Sequence, residues 1–188
     1  MKRLSRTNFL ITIVSLGVLS SCGNNSTMNN KESAEGSESD KKELQPIITE
    51  QFTADPSAHV FDGKIYLYPS HDYESGVPED DLGSHFDMKD YHVYSMNQVG
   101  GEITDHGVVL DIKDVPWAGK QMWAPDAAEK DGTYYFYFPA KDKNDVFRIG
   151  VATSSSPSGP FEPEAEPMEG SYSIDPAIFK DADEEYYM

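Results

Sequence analysis

Alternating apolar and polar residues predict a pair of β-strands near the start of the folded part of the chain. Residues 58–61 and 65–68 are rich in β-branched and aromatic side chains, which favour strands, and Asp62-Gly63 separates them. Asp-Gly is a strong hairpin signal because glycine adopts positive φ without steric cost. Asp55-Pro56 precedes the first strand, and the proline favours an extended backbone at Asp55. The pattern therefore predicts a tight β-hairpin with a carboxylate at its entrance.

The same pattern of proline, turn and tyrosine returns twice, with Asp131-Gly132 and Ala182-Asp183 at the positions of the turn. A tyrosine follows each proline by the same number of residues, in the pairs Pro56 and Tyr66, Pro125 and Tyr135, and Pro176 and Tyr186. The repeats begin 69 and then 51 residues apart, a length that suits one four-stranded blade of a β-propeller. We therefore predict an all-β fold, a β-propeller, with about two blades and the start of a third in residues 47–188.

Further apolar runs predict the outer strands of these blades. Residues 91–96 and 104–110 complete the first blade, and residues 147–154 form a strand of the second. The polar stretch from 73 to 90 is long for a propeller loop, and long loops usually carry function. It contains His85 and Phe86, which are candidates for the rim of a pocket.

The N-terminal segment, residues 1–21, is predicted to be an export signal. Basic residues precede an apolar run that is too short for a stable transmembrane helix. The sequence Leu-Ser-Ser-Cys at 19–22 resembles a bacterial lipobox, which implies a lipid on Cys22, and Gly23 favours the outer membrane. An ordinary secretory signal with an unrelated cysteine is the alternative. Cys22 is the only cysteine, so no disulfide forms within the chain.

Composition separates a linker from the folded part and limits the choice of partners. Residues 22–46 are rich in polar and charged side chains and predict a disordered tether that holds the domain off the membrane. The chain has a formal net charge of −18, which argues against nucleic acid, because such binding depends on Lys and Arg meeting phosphates. The abundant aromatic residues suit either a β-sheet core or a surface on which sugars stack.

Two aspartates stand at equivalent positions of the first and third repeats, Asp55 and Asp175, each followed by proline. Propeller blades are related by rotation about a central channel, so equivalent starts of inner strands converge on that channel. Two carboxylates there suit glycoside hydrolysis, in which one group activates water and another protonates the leaving oxygen. A turn or strand cap is the structural alternative for each Asp-Pro pair.

Three motifs in order resemble those of glycoside hydrolase family 43. They are Ala-Asp-Pro-Ser-Ala-His at 54–59, Trp-Ala-Pro-Asp at 123–126 and Ser-Ile-Asp-Pro-Ala-Ile-Phe at 173–179. The resemblance implies a five-bladed propeller that cleaves arabinose- and xylose-containing polysaccharides with an inverting mechanism. Asp55 matches the general base, and Asp175 matches the second aspartate, which orients the general acid and tunes its acidity.

The family's general acid, a glutamate on a later blade, has no match in this sequence. The resemblance therefore implies an α-L-arabinofuranosidase or β-xylosidase as the full-length protein, whereas we expect the 188-residue chain alone to be inactive and to expose an unpaired sheet edge. A non-catalytic carbohydrate-binding propeller is the main alternative, and a purely structural surface lipoprotein is a third hypothesis.

Three further residues are candidates for substrate binding. Trp123 offers a flat apolar platform for a sugar ring, or packs between blades. Asp126 hydrogen-bonds the substrate, or caps the following turn. His71 reaches the mouth of the pocket together with Asp72, or the two satisfy each other or the backbone.

No run of residues has convincing spacing for a metal site, so we expect no metal or cofactor, although the resemblance allows a structural calcium in the full-length protein. The expected partners are an oligo- or polysaccharide and, through the lipid, a membrane. We expect a monomer.

Overall fold

Four antiparallel strands in chain order form the first sheet of the computed structural model, which describes residues 45–188. They are β1 (Phe52–Phe61), β2 (Lys64–Asp72), β3 (Asp90–Met96) and β4 (Thr104–Asp111). The predicted signal segment, Cys22 and the tether up to residue 44 lie outside the described residues. In the part that is described, no helix is long and apolar enough to cross a membrane.

The second sheet contains five strands, and its inner strand is interrupted. The strands are β5 (Ala118–Lys120), β6 (Asp126–Lys130), β7 (Thr133–Asp142), β8 (Phe147–Ser154) and β9 (Glu162–Pro163), and a short 3-10 helix (Ile112–Asp114) precedes them. Both β5 and β6 pair with the side of β7 that β8 leaves free. Trp123 therefore lies in the gap at residues 121–125, between the two segments of the inner strand.

The predicted Asp-Gly turns are confirmed in both sheets. Asp62 and Gly63 have φ of 51° and 75°, and Asp131 and Gly132 have φ of 55° and 78°. Each pair forms a two-residue connection between directly paired strand ends. Two successive residues at positive φ match the type I′ turn, whose twist fits that of antiparallel strands.

The third repeat forms only a short hairpin, β10 (Phe179–Lys180) and β11 (Tyr186–Tyr187). The tight turn expected at Ala182-Asp183 from the repeat pattern is confirmed, since the N–H of Glu184 donates to the Asp181 carbonyl at 3.0 Å across these two residues. Glu184, which follows the turn, has φ of 69°. A turn followed by one residue at positive φ is a common three-residue hairpin connection, and it differs from the type I′ turns of the two sheets.

Aromatic side chains fill the space between the two sheets. Tyr68 and Tyr91 from the first sheet and Phe136 and Phe138 from the second are fully buried. The ring centroids of Tyr91 and Phe136 lie 5.0 Å apart in an edge-to-face arrangement. These aromatic residues therefore serve the core between the two sheets rather than a sugar-binding surface.

A glycine in β8 makes close packing of this core possible. A methyl group on Gly150 would lie 2.4 Å from Phe138 Cζ and 2.6 Å from Trp117 Cζ2. We therefore expect Gly150→Ala to lower the free energy of unfolding by about 1–3 kcal/mol, because two buried rings must move. Urea denaturation checks this value. In a Phe138→Leu background the loss should be smaller, and a strictly additive loss would contradict the clash.

Candidate functional site

Asp55 lies at a bulge in β1. Ala54 pairs with Ser70 and Ser57 pairs with Tyr68, so the register shifts at Asp55-Pro56. Bulges of this kind occur next to active sites, where they redirect a side chain away from the regular ladder. The structure therefore gives Asp55 a direction that an uninterrupted strand would not give it.

Asp175 has the same unusual backbone as Asp55. The φ angles are 56° and 45°, and both side chains are exposed. The expectation of an extended backbone at Asp55 is wrong, although proline normally disfavours other conformations in the preceding residue. Non-glycine residues seldom adopt positive φ, and such residues cluster at functional sites. The two repeats thus share a strained conformation at the same position.

One cavity of about 620 Å³ brings together three of the predicted site residues: Asp55, Asp175 and Trp123. His85 and Phe86, the candidates for a pocket rim, also line it. This convergence is what rotation of equivalent repeats about a central axis predicts. Exposed carboxylates and aromatic faces in one concave site can bind a polar ring and act on it as acid or base.

Trp123 also fixes the long loop that forms one wall of the cavity. Its Nε1–H donates to the Phe86 carbonyl at 2.7 Å, and its ring packs on Phe147 with centroids 4.5 Å apart. The hydroxyl of Tyr91 donates to the Trp123 carbonyl at 2.6 Å. Trp123 is half-buried: it packs against its neighbours, and it also lines the cavity, so its role as a platform for a sugar ring stays a prediction.

Gln121 supports the same loop and was not singled out from the sequence. Its Nε2 donates to the Gly83 carbonyl at 2.8 Å, and the residue is buried with φ of 59°. Gly83 has φ of 70°, and an added methyl group would lie 3.2 Å from the Trp123 ring. Nothing local in the sequence signals this contact, because it joins residues 38 positions apart.

Asp126 does not line the cavity. Its side chain is buried, with 6% of the residue exposed, and its two oxygens contact different segments. Oδ1 lies 2.6 Å from His59 Nε2, and Oδ2 accepts the backbone N–H of Ile178 at 2.6 Å. The burial of Asp126 argues against contact with a substrate. Both of its oxygens contact residues on distant segments rather than the following turn, so the geometry does not support a turn cap either.

Asp126 is held as a carboxylate. Burial acts to raise its pKa, but the hydrogen bonds from His59 and from the N–H groups of Ile178 and Ala127 outweigh it, so the pKa lies below its ordinary value. A lowered pKa in the folded state contributes stability above the unfolded pKa, which is about 4. This contribution is lost as the pH falls through the folded pKa and the carboxylate is protonated.

His71 also lies outside the cavity, although its neighbour Asp72 lines it. The Nδ1 of His71 is 2.5 Å from Asp90 Oδ1, so its partner is Asp90 on β3 rather than Asp72. The expected position of His71 at the mouth of the pocket is therefore wrong. Successive side chains of a strand point to opposite faces, so β2 directs Asp72 toward the cavity and His71 away from it.

Within residues 45–188, one group of side chains has the composition of a metal site. His71, Asp90 and His92 each offer an atom within 4.8 Å of the others. Calcium prefers six to eight oxygen ligands, so two imidazoles and one carboxylate do not suit it. The described residues therefore provide no calcium cage at this cluster.

Comparison with known proteins agrees with this geometry. The family model "Glycosyl hydrolases family 43" matches residues 44–188. A xylosidase/arabinosidase of Bacteroides ovatus is 62% identical over 149 residues, which are 79% of this chain and 46% of that protein.

Solved structures give the same assignment. A family 43 β-xylosidase/α-arabinofuranosidase from a compost microbial metagenome, solved in complex with xylotriose in a calcium-free form, is 71% identical with a TM-score of 0.75. The match covers 76% of this chain and 43% of that one. A Xanthomonas citri enzyme, also solved with xylotriose, is 52% identical with a TM-score of 0.69, and the match covers 76% and 41% of the two chains.

The predicted propeller class is confirmed by these structural neighbours, and the chain spans less than half the length of the relatives that it matches. The family match extends over both sheets and the third repeat, and it includes Asp55, Trp123 and Asp175. The chain belongs to glycosyl hydrolase family 43.

Proposed function

We propose that this chain is part of a glycosidase that releases xylose or arabinose units from plant-type polysaccharides. The observation that carries the proposal is the shared cavity: Asp55 and Asp175, far apart in sequence, line it together with the ring of Trp123. The named activities of the similar proteins, xylosidase and arabinosidase, support the choice of sugar.

The proposed reaction is a single displacement with inversion. Asp55 accepts a proton from water while the water oxygen forms a bond to the anomeric carbon and the bond from that carbon to the leaving oxygen breaks. A second carboxyl group gives its proton to the leaving oxygen. We assign that acid to a residue outside this chain and assign its orientation to Asp175.

The cavity suits a neutral sugar. Its volume lies within the usual range for small-molecule sites, and it combines an aromatic face with several carboxylates. Trp123 can stack on the apolar face of a pyranose or furanose, while Asp55 and Asp175 accept hydrogen bonds from hydroxyl groups. A strongly acidic chain would repel an anionic substrate.

We further propose that activity requires the remaining propeller blades. Large apolar side chains are exposed on the first strand and on the last hairpin of the described region. They are Phe52 and Val60 on β1, and Phe179 and Tyr187 on the β10–β11 hairpin. Exposed apolar surface of this kind marks a contact face, and blades packed there would cover it. We propose that the 188-residue chain alone lacks activity, since we assign the general acid to another blade.

Export and lipid attachment at Cys22 remain proposals, and they rest on the basic, apolar and Leu-Ser-Ser-Cys pattern of residues 1–22. We propose an anchor in the bacterial outer membrane with the folded part as a monomer. Mass spectrometry of the mature N-terminus tests the anchor, and an unmodified N-terminus would contradict it.

A panel of 4-nitrophenyl glycosides tests the proposed activity. A polypeptide that carries the complete propeller should cleave the β-D-xylopyranoside or the α-L-arabinofuranoside well above the β-D-glucopyranoside. Proton NMR of the first product should show the inverted anomer. Binding of xylo-oligosaccharides without any cleavage would instead favour a carbohydrate-binding propeller.

A further inference from the structure

A buried carboxylate lies between β1, which carries Asp55, and the segment before β10, which carries Asp175. We propose that Asp126 is a positioning residue that fixes Asp55 and Asp175 relative to each other, an inference that rests on the proposed function. Asp126 contacts His59 with one oxygen and Ile178 with the other, at 2.6 Å in each case. His59 follows Asp55 on β1, and Ile178 follows Asp175 in the third repeat.

The two contacts are close in sequence to the residues that they position. His59 lies four residues after Asp55, and Ile178 lies three residues after Asp175. Asp126 itself begins β6, directly after the interruption that contains Trp123. One carboxylate therefore connects the three motifs whose side chains line the cavity.

The connection is strong because Asp126 is ionised and shielded from water. Only 6% of the residue is exposed, and hydrogen bonds to a charged group are stronger than those between neutral groups. Loss of the carboxylate would leave the Ile178 N–H without an acceptor on β6. The His59 ring, which stacks on Phe61 with centroids 5.6 Å apart, would lose its fixed partner.

Hydrogen bonds hold the chain on both sides of Asp175. Before it, Ser171 accepts from the Arg148 side chain at 3.0 Å and from the Ile149 N–H at 3.1 Å. After it, within the described part of the chain, two bonds join residues 173–188 to the sheets: the Ile178–Asp126 bond and the bond from the Tyr186 hydroxyl to the Glu129 carbonyl at 2.6 Å. Of these two, the Ile178–Asp126 bond lies three residues from Asp175, so Asp126 fixes the chain that follows it.

Displacement of a catalytic group by about 1 Å can lower a rate by about 10²-fold. In a polypeptide with the complete propeller, we expect Asp126→Ala to lower kcat for aryl β-xylosides by about 10–10²-fold with little change in KM. Asp126→Asn keeps an acceptor for the Ile178 N–H and should recover most of the loss. His59→Phe breaks only the contact on β1 and should give a smaller loss.

Tyr186→Phe is the matched control, because it removes the other hydrogen bond that holds the third hairpin. It should leave kcat unchanged, and thermal unfolding of every variant shows whether the assay temperature lies below the transition. If Asp126→Ala does not fold, the comparison of Asp126→Asn and His59→Phe with Tyr186→Phe takes its place. A fall in kcat for Tyr186→Phe as large as that for Asp126→Ala would overturn the positioning role. So would losses of kcat that are proportional to the fraction of each variant that is unfolded at the assay temperature.

Asp55→Asn, assayed in parallel, separates the two proposals. Loss of activity in Asp55→Asn with unchanged kcat in Asp126→Ala overturns only the positioning role. Full activity in Asp55→Asn overturns the assignment of Asp55 as the base, and the positioning role with it. Loss in both, with recovery in Asp126→Asn, supports both.

Discussion

Replacing Asp55 with asparagine is expected to lower kcat by about 10²–10⁴-fold for aryl β-xylosides and for xylo-oligosaccharides alike. The amide has nearly the same shape as the carboxylate, but it cannot accept a proton from water. Asparagine tolerates the positive φ of 45° at this position, so the bulge in β1 should persist. Steady-state kinetics of a polypeptide with the complete propeller measures the effect, and KM should change little.

The control for this prediction is Asp62→Asn, the same change of side chain in the turn that follows β1. Asp62 has φ of 51° and lies in the tight turn, outside the residues that line the cavity. Asp62→Asn should therefore retain full activity. Equal kcat values for wild type and Asp55→Asn would show that a different group activates the water.

The parts of the fold that local sequence determines were predicted well. Asp62-Gly63 and Asp131-Gly132 define their turns because φ preference is a property of the residues themselves. The strand of residues 147–154 was predicted with its observed bounds, since period-two alternation needs no knowledge of the partner strand. The shared cavity of Asp55 and Asp175 followed from one further premise, the rotational relation between repeats.

The parts that depend on contacts between distant segments could not be predicted. His59 and Asp126 are 67 residues apart, and Asp126 and Ile178 are 52 apart, so neither contact leaves a local trace in the sequence. The pairing of His71 with Asp90 is of the same kind, because it depends on the register of β2 against β3. Pro56 led to the prediction of an extended backbone at Asp55, whereas φ is 45°, because the bulge overrides the preference that proline imposes on the preceding residue.

Asp175→Asn should produce a loss that depends on the leaving group. If Asp175 orients the general acid, its loss should lower kcat by about 10²–10⁴-fold for xylobiose, whose leaving oxygen needs a proton. A 2,4-dinitrophenyl xyloside has a leaving group that departs as a stable anion, so its kcat should fall by about tenfold or less. Asparagine tolerates the φ of 56° at this position, so the backbone should be unchanged. A series of aryl xylosides with graded leaving groups measures the dependence.

Asp131→Asn is the control, since Asp131 has φ of 55° but lies in a turn away from the cavity, and it should show no dependence on the leaving group. Asp55→Asn should lower kcat for all substrates of the series by a similar factor, because water must be activated whichever group departs. The two carboxylates would thus be distinguished by the slope of log kcat against leaving-group basicity rather than by the size of the loss. Equal losses across the series for Asp175→Asn would remove the link between Asp175 and protonation of the leaving oxygen, and would assign both cavity carboxylates to the attacking side of the sugar.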